Sequence, residues 1–112
     1  MYEYRAKILS VHDGDTCAVV IDFGCRITQE MTLRLYGINA PELSQKPMGQ
    51  AARDYLRAMI DGKTVLVRTI KDKREKYGRY LAEIFVGDDP VSVNRKMIEA
   101  GHATEYDGTG PR

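Results

Sequence analysis

The sequence predicts a single α+β domain, and three observations carry that prediction. Its 112 residues suffice for one compact core and are too few for two. Stretches with β-strand character fill the first third, and two more follow residue 63. Between them, over 48–60, the apolar residues recur at helical spacing instead.

Taken in order, Ala6, Ile8, Ser10 and His12 alternate with Lys7, Leu9 and Val11, the period-two pattern of a first strand. Asp13-Gly14-Asp15 is a turn signal, and 16–23 is β-branched and apolar enough for a second strand. Asp22-Phe23-Gly24 turns the chain back. A third strand is expected over 27–38, with Leu33 and Leu35 on one face and Thr32, Arg34 and Tyr36 on the other. Ala40-Pro41-Glu42 and Pro47 break the extended pattern. The helix that follows places Met48, Ala51, Ala52, Tyr55, Leu56, Met59 and Ile60 on one face as core, and Gly62 stops it. Strands are expected over 64–70 and 79–86 with a charged loop between, and a short helix over 92–100 ends at Gly101. Five strands with a helix between the third and fourth is the order of an OB-type β-barrel. The domain is expected over 1–106, with 107–112 as a flexible tail.

Hydrophobic residues make up 43% and charged residues 29%, ordinary proportions for a globular protein. A net charge of +1 does not announce a nucleic-acid binder. The charge is uneven, however. Between 63 and 79, Lys63, Arg68, Lys71, Lys73, Arg74, Lys76 and Arg79 face only Asp72 and Glu75, which suits an anionic substrate held at one place. Cys17 lies down one arm of the expected hairpin and Cys25 beside its tip, too far apart for a disulfide. Two free thiols, with no apolar leader or spanning run in the sequence, point to a reducing, cytoplasmic setting and no membrane.

Three clusters carry chemistry: Asp13-Gly14-Asp15-Thr16, Arg34 followed by Asn39-Ala40-Pro41-Glu42, and Lys76-Tyr77-Gly78-Arg79. Phosphoryl transfer needs this mixture. A hard cation takes oxygen ligands. The attacking water needs a carboxylate base. The phosphate gathers charge and needs fixed cationic donors, for which the planar fork of arginine is suited. Each residue also has a plainer reading. The Asp-Gly-Asp segment alone is a good turn, Arg34 a surface strand residue, and Glu42 a solvated loop acid. His12 beside Asp13 invites a metal or base role, but Glu42 already supplies a base. His102 reads as a surface or helix-capping residue.

Together VHDGDT, TLRLYGINAPEL and KYGRYLAEI resemble the active-site segments of the staphylococcal nuclease (thermonuclease) family, in the same order and at similar spacing. The resemblance extends from the first strand to Gly101 and implies one divalent metal ion, calcium being the expected one. It implies Asp15 as a ligand, Asp13 as a nearby or water-mediated partner, and the Ala40 carbonyl as a further ligand. Asn39 stands where the family has a second metal-binding Asp, which should weaken metal binding. Glu42 would orient and deprotonate the water, Arg34 and Arg79 would grip the phosphate, and Lys76 and Tyr77 would contact a neighbouring phosphate. Longer members continue into a third helix that this sequence lacks, and Tyr106 is the nearest match to their substrate-contacting tyrosines. The hairpin containing Phe23 is longer than in the staphylococcal enzyme, as in some short bacterial and phage or mobile-element relatives.

The implied activity is hydrolysis of DNA, with RNA left open, giving 3′-phosphate ends. Little base specificity and a preference for single strands are expected, from a monomer. The alternative is a non-catalytic nucleic-acid-binding barrel whose metal site is weakened by Asn39.

Overall fold

The computed structural model of the chain describes residues 2–74 and 80–106. Among these residues seven strands and two helices are formed: β1 Tyr2–Asp13, β2 Thr16–Asp22, β3 Thr28–Leu35, β4 Ile38–Asn39, α1 Met48–Ile60, β5 Thr64–Arg74, β6 Tyr80–Phe85, α2 Val93–Glu99 and β7 Thr104–Glu105. Five of the strands close a barrel in the order β1-β2-β3-β6-β5, with β5 paired back to β1. The expected OB-type α+β architecture is what forms. Every barrel pair is antiparallel except β3 with β6, which run parallel because α1 and β5 intervene between them.

Alternation along the strands fills the barrel. Ile8, Val19, Ile21, Leu33, Leu35, Val67 and Ile84 are fully buried, while their neighbours in sequence face outward. One break in the pattern has a clear cause. The register of β1 against β2 shifts between Ile8 and Ser10, so Leu9 is bulged out and 43% exposed, and Val11 returns to the interior. A strict period-two pattern places Val11 with Lys7 on the outside, which the bulge reverses.

Two elements differ from expectation. The third strand does not run to Ile38: Gly37, at φ +81°, turns the chain, and Ile38–Asn39 pairs instead with β7, a strand the sequence pattern did not suggest. On α1 the buried stripe is Gly49, Ala52, Leu56 and Ile60, whereas Met48 is 60% exposed and Ala51 is also exposed. The helix therefore buries a narrower face than its apolar residues allow, and the smallest residue of that face, Gly49, meets the main chain of Glu42 and Leu43.

Asn94, 4% exposed at the start of α2, was not singled out in the sequence. Its Oδ1 accepts from the Ile84 amide at 3.1 Å, and its Nδ2 donates to the Tyr36 and Ala82 carbonyls at 2.9 and 3.0 Å. These bonds satisfy main-chain groups where the parallel β3–β6 ladder ends. Ser92 caps the same helix through its hydroxyl, which accepts from the Arg95 amide. Cys17 is buried and Cys25 exposed at the hairpin tip, both free, and burial pushes the Cys17 thiol up to about 12. Among the described residues no helix is long and apolar enough to cross a membrane.

Candidate functional site

The β1–β2 turn, the end of β3 and the loop after β4 meet around Asp15. Gly14 makes the approach possible: a Cβ there would lie 2.7 Å from the Ala40 Cβ and 2.8 Å from the Ala52 Cβ. Three small residues, Gly14, Ala40 and Ala52, thus let the turn, the loop and α1 touch. The turn is shaped from within, since the Asp13 Oδ1 accepts from the Asp15 amide at 3.1 Å.

Asp15 is only 5% exposed, and each of its carboxylate oxygens is engaged. Oδ2 pairs with the Arg34 Nη1 at 2.7 Å and accepts from the Ala40 amide at 2.8 Å. Oδ1 accepts from the Thr16 hydroxyl at 3.1 Å. Arg34, 3% exposed, also donates to the Asp15 carbonyl at 3.3 Å and to the Asn39 Oδ1 at 3.4 Å. The alternation of β3 sets Arg34 on the face opposite Leu33 and Leu35. The register of β2 against β3 brings it opposite Thr16, one residue from Asp15.

Burial pushes the Asp15 carboxyl up from the ordinary carboxylate range to about 6, and the hydrogen bond shared with the Asp13 side chain pushes the same way. Arg34 opposes both but does not prevail. Two carboxyls are therefore held together in a partly dry place where one positive partner does not fully balance them.

Glu42 is exposed on the turn that precedes α1. Its carbonyl accepts from the Gln45 amide at 2.9 Å, and its amide donates to the Gln45 side chain at 3.0 Å. Gln45 in turn accepts from the Gly49 amide at 2.7 Å, which fastens the turn to the helix. A Cβ at Gly49 would lie 1.8 Å from the Glu42 carbonyl oxygen, so the helix start and the Glu42 turn are in direct main-chain contact. Sequence reasoning placed Gly14 only within the turn and missed Gly49. Their only sequence signal was glycine beside acidic or helical segments, which turns also produce.

The structure brings together Asp13, Asp15, Arg34, Asn39 and Ala40, and sets Glu42 two residues beyond Ala40. Tyr106 is half-buried, and its amide donates to the Gly37 carbonyl at 2.8 Å, which places it beyond the end of β3. Lys76, Tyr77 and Arg79 lie outside the described residues, as does 107–112. Among the described residues there is no group of three His, Cys, Asp or Glu side chains placed to hold a metal. The side-chain oxygens gathered there are those of the Asp13 and Asp15 carboxylates and the Asn39 amide. Such oxygens fit a hard divalent cation better than a transition metal.

The fold and site define a class: a closed OB-type barrel with two helices and an acid–arginine cluster where the first turn meets the end of the third strand. The chain belongs to the staphylococcal nuclease homologue family, whose pattern matches residues 32–112. It is 36% identical over 104 residues to an uncharacterized protein of Bacillus anthracis, covering 88% of this chain and 45% of that one. Protein ParB of Escherichia coli is 34% identical over 111 residues, 93% of this chain and 58% of its own length. A thermonuclease of Staphylococcus intermedius is 31% identical over 98 residues, 83% and 54% of the two chains. The chain spans about half the length of these relatives.

Proposed function

We propose that this chain is a metal-dependent nuclease that hydrolyses phosphodiester bonds of DNA, and of RNA where it is offered, acting as a monomer and preferring single strands. One observation carries the proposal: the buried Asp15 carboxylate ties the first turn, the Arg34 guanidinium and the Ala40 amide into one cluster, with Glu42 on the adjoining turn. A merely structural turn does not need a buried arginine beside a carboxylate raised by burial. The nuclease names borne by several relatives support the same reading.

Asp15, Asn39 and the Ala40 carbonyl would hold the cation, with Asp13 behind them. Bound there, a calcium ion would supply positive charge beside the reacting phosphate. Arg34, paired here with Asp15 and 3% exposed, turns its guanidinium out of that pair to hold the scissile phosphate as charge gathers. By the family resemblance, Arg79 would share that phosphate, while Lys76 and Tyr77 would meet the next one. Glu42 orients a water and takes its proton as the oxygen attacks phosphorus. The bond to the 5′-oxygen breaks, that oxygen takes up a proton from solvent, and the products carry 3′-phosphate and 5′-hydroxyl ends.

The test is digestion of single-stranded DNA in calcium, beside the same reaction in chelator and with Glu42→Gln. Cleavage lost in both controls supports hydrolysis with Glu42 as base and Asn39 as a tolerated ligand. DNA bound but uncut in calcium, magnesium and manganese would replace the nuclease with the non-catalytic binding barrel.

A further inference from the structure

Strand β4 is only two residues long, and its partner is the short strand β7 far along the chain. Ile38 pairs with Glu105 and Asn39 with Thr104, antiparallel. We infer that β7 is the positioning strand of the cation site, with Thr104 the residue through which it sets Asn39 and Ala40 toward the ion. The inference rests on the proposed cation-binding role of Asn39 and Ala40 and adds what orients them.

Alternation is the first argument. Ile38 is 1% exposed in the core, so Asn39 points to the other side of β4, where its Oδ1 accepts from the Arg34 Nη2 at 3.4 Å. A slip of one residue would exchange the two, burying the amide and turning Ile38 toward the carboxylates. A two-residue strand cannot fix its own register. Gly37 turns the chain in front of it, and Pro41 keeps Ala40 extended behind it, but neither sets which way Asn39 faces. Among the described residues, β7 is the strand that pairs with β4.

Hydrogen bonds are the second argument. The Tyr106 amide donates to the Gly37 carbonyl at 2.8 Å. Antiparallel bonds recur at every second residue, so the next bonded pair along this ladder is Asn39 with Thr104. The Thr104 amide therefore donates to the Asn39 carbonyl, which also accepts from the Thr104 hydroxyl at 3.4 Å. One residue on, the Ala40 amide donates to the Asp15 Oδ2 at 2.8 Å. The stretch is thus tied to β7 at one residue and to the buried carboxylate at the next. β7 is itself anchored. The His102 ring lies 4.6 Å from the Tyr55 ring of α1, Ala103 is buried, and the Glu105 carboxylate pairs with Arg95 of α2 at 3.3 Å. Groups that orient a metal ligand from behind govern metal affinity by about 10–100-fold.

The experiment titrates the full chain with calcium and follows the main-chain amide NMR signals of Asp15, Asn39 and Ala40. Thr104→Pro, which removes the donated amide, should weaken calcium binding about tenfold. Thr104→Val keeps that amide and should stay within about twofold of wild type. In an Asn39→Ala background, the loss caused by Thr104→Pro should shrink to about threefold or less, because the ligand it orients is gone. A further measurement needs no variant: calcium should slow hydrogen exchange of the wild-type Thr104 amide about tenfold, since the ion and the strand pairing favour each other reciprocally. Unchanged calcium affinity in a folded Thr104→Pro, equal losses in both backgrounds, or Thr104 exchange indifferent to calcium would overturn the positioning role and leave the nuclease standing. No calcium shift at the three amides would overturn the positioning role together with the cation ligands. The expected calcium pattern without cleavage of single-stranded DNA would overturn the nuclease and leave the positioning strand.

Discussion

Replacing Gly49 by alanine adds one methyl group, and the structure says where it must go. The new Cβ would stand 1.8 Å from the Glu42 carbonyl oxygen, 2.6 Å from its carbon and 2.9 Å from the Leu43 Cα, all main-chain atoms. A relaxed carbon–oxygen contact is about 3.4 Å, so the Glu42 turn and the start of α1 must part by about 1.6 Å. The Gln45 bonds that fasten the turn to the helix resist that movement. Overpacking of this kind costs about 1–3 kcal/mol of stability. Helix propensity favours alanine over glycine by up to about 1 kcal/mol and offsets part of the loss. A 1 Å misplacement of a catalytic group can cost on the order of 100-fold in rate. The expected result for Gly49→Ala is therefore a folded protein, destabilised by no more than about 3 kcal/mol in a urea titration, with kcat on single-stranded DNA down about 100-fold. The reasoning fails if kcat stays within about threefold of wild type while NMR shows the 42–45 amides displaced.

Removing the acid from the buried pair should be costly in itself. Asp15→Ala leaves the Arg34 guanidinium without its 2.7 Å partner, and about 3–5 kcal/mol of stability should be lost in calcium-free buffer. Calcium should raise the melting temperature of the wild type and not that of Asp15→Ala; equal shifts in both would place the cation elsewhere. A pH dependence follows where the loop after β6 meets α2. The Lys96 ammonium and the Val91 amide hold the Asp89 carboxyl below the ordinary carboxylate range, with Lys96 the larger cause. Its folded value is depressed, so the pair stabilises the protein above the unfolded carboxylate value, and that contribution is lost as pH falls through the folded one. Lys96→Met should therefore lower the urea midpoint at pH 7 and match the wild type near pH 2. A deficit independent of pH would show that the lysine acts by packing alone.

Much of this protein was legible in the chain. The alternation over 6–12, the β-branched apolar run over 16–23, the helical spacing over 48–60 and the turn chemistry between them led to the barrel order, because periodicities of 2 and 3.6 report which side chains one surface can bury. The Asp15, Arg34 and Asn39-Ala40-Pro41-Glu42 clusters were also visible, since carboxylate and guanidinium chemistry is carried by residue type. Local pattern could not decide what depends on distant chain segments. The Leu9 bulge, the strand break at Gly37 and the pairing of β4 with β7 are set by partners far along the sequence. The close approach of the Glu42 turn to α1 at Gly49 is likewise a contact between segments that local pattern does not report. Asn94 reads as an ordinary helix residue until Tyr36 and Ala82 are brought beside it. Sequence alone determined which groups are available, through periodicity and residue chemistry. Tertiary structure decided which of them lie within hydrogen-bond distance, and at Asp15 burial then altered the acidity that its residue type implies.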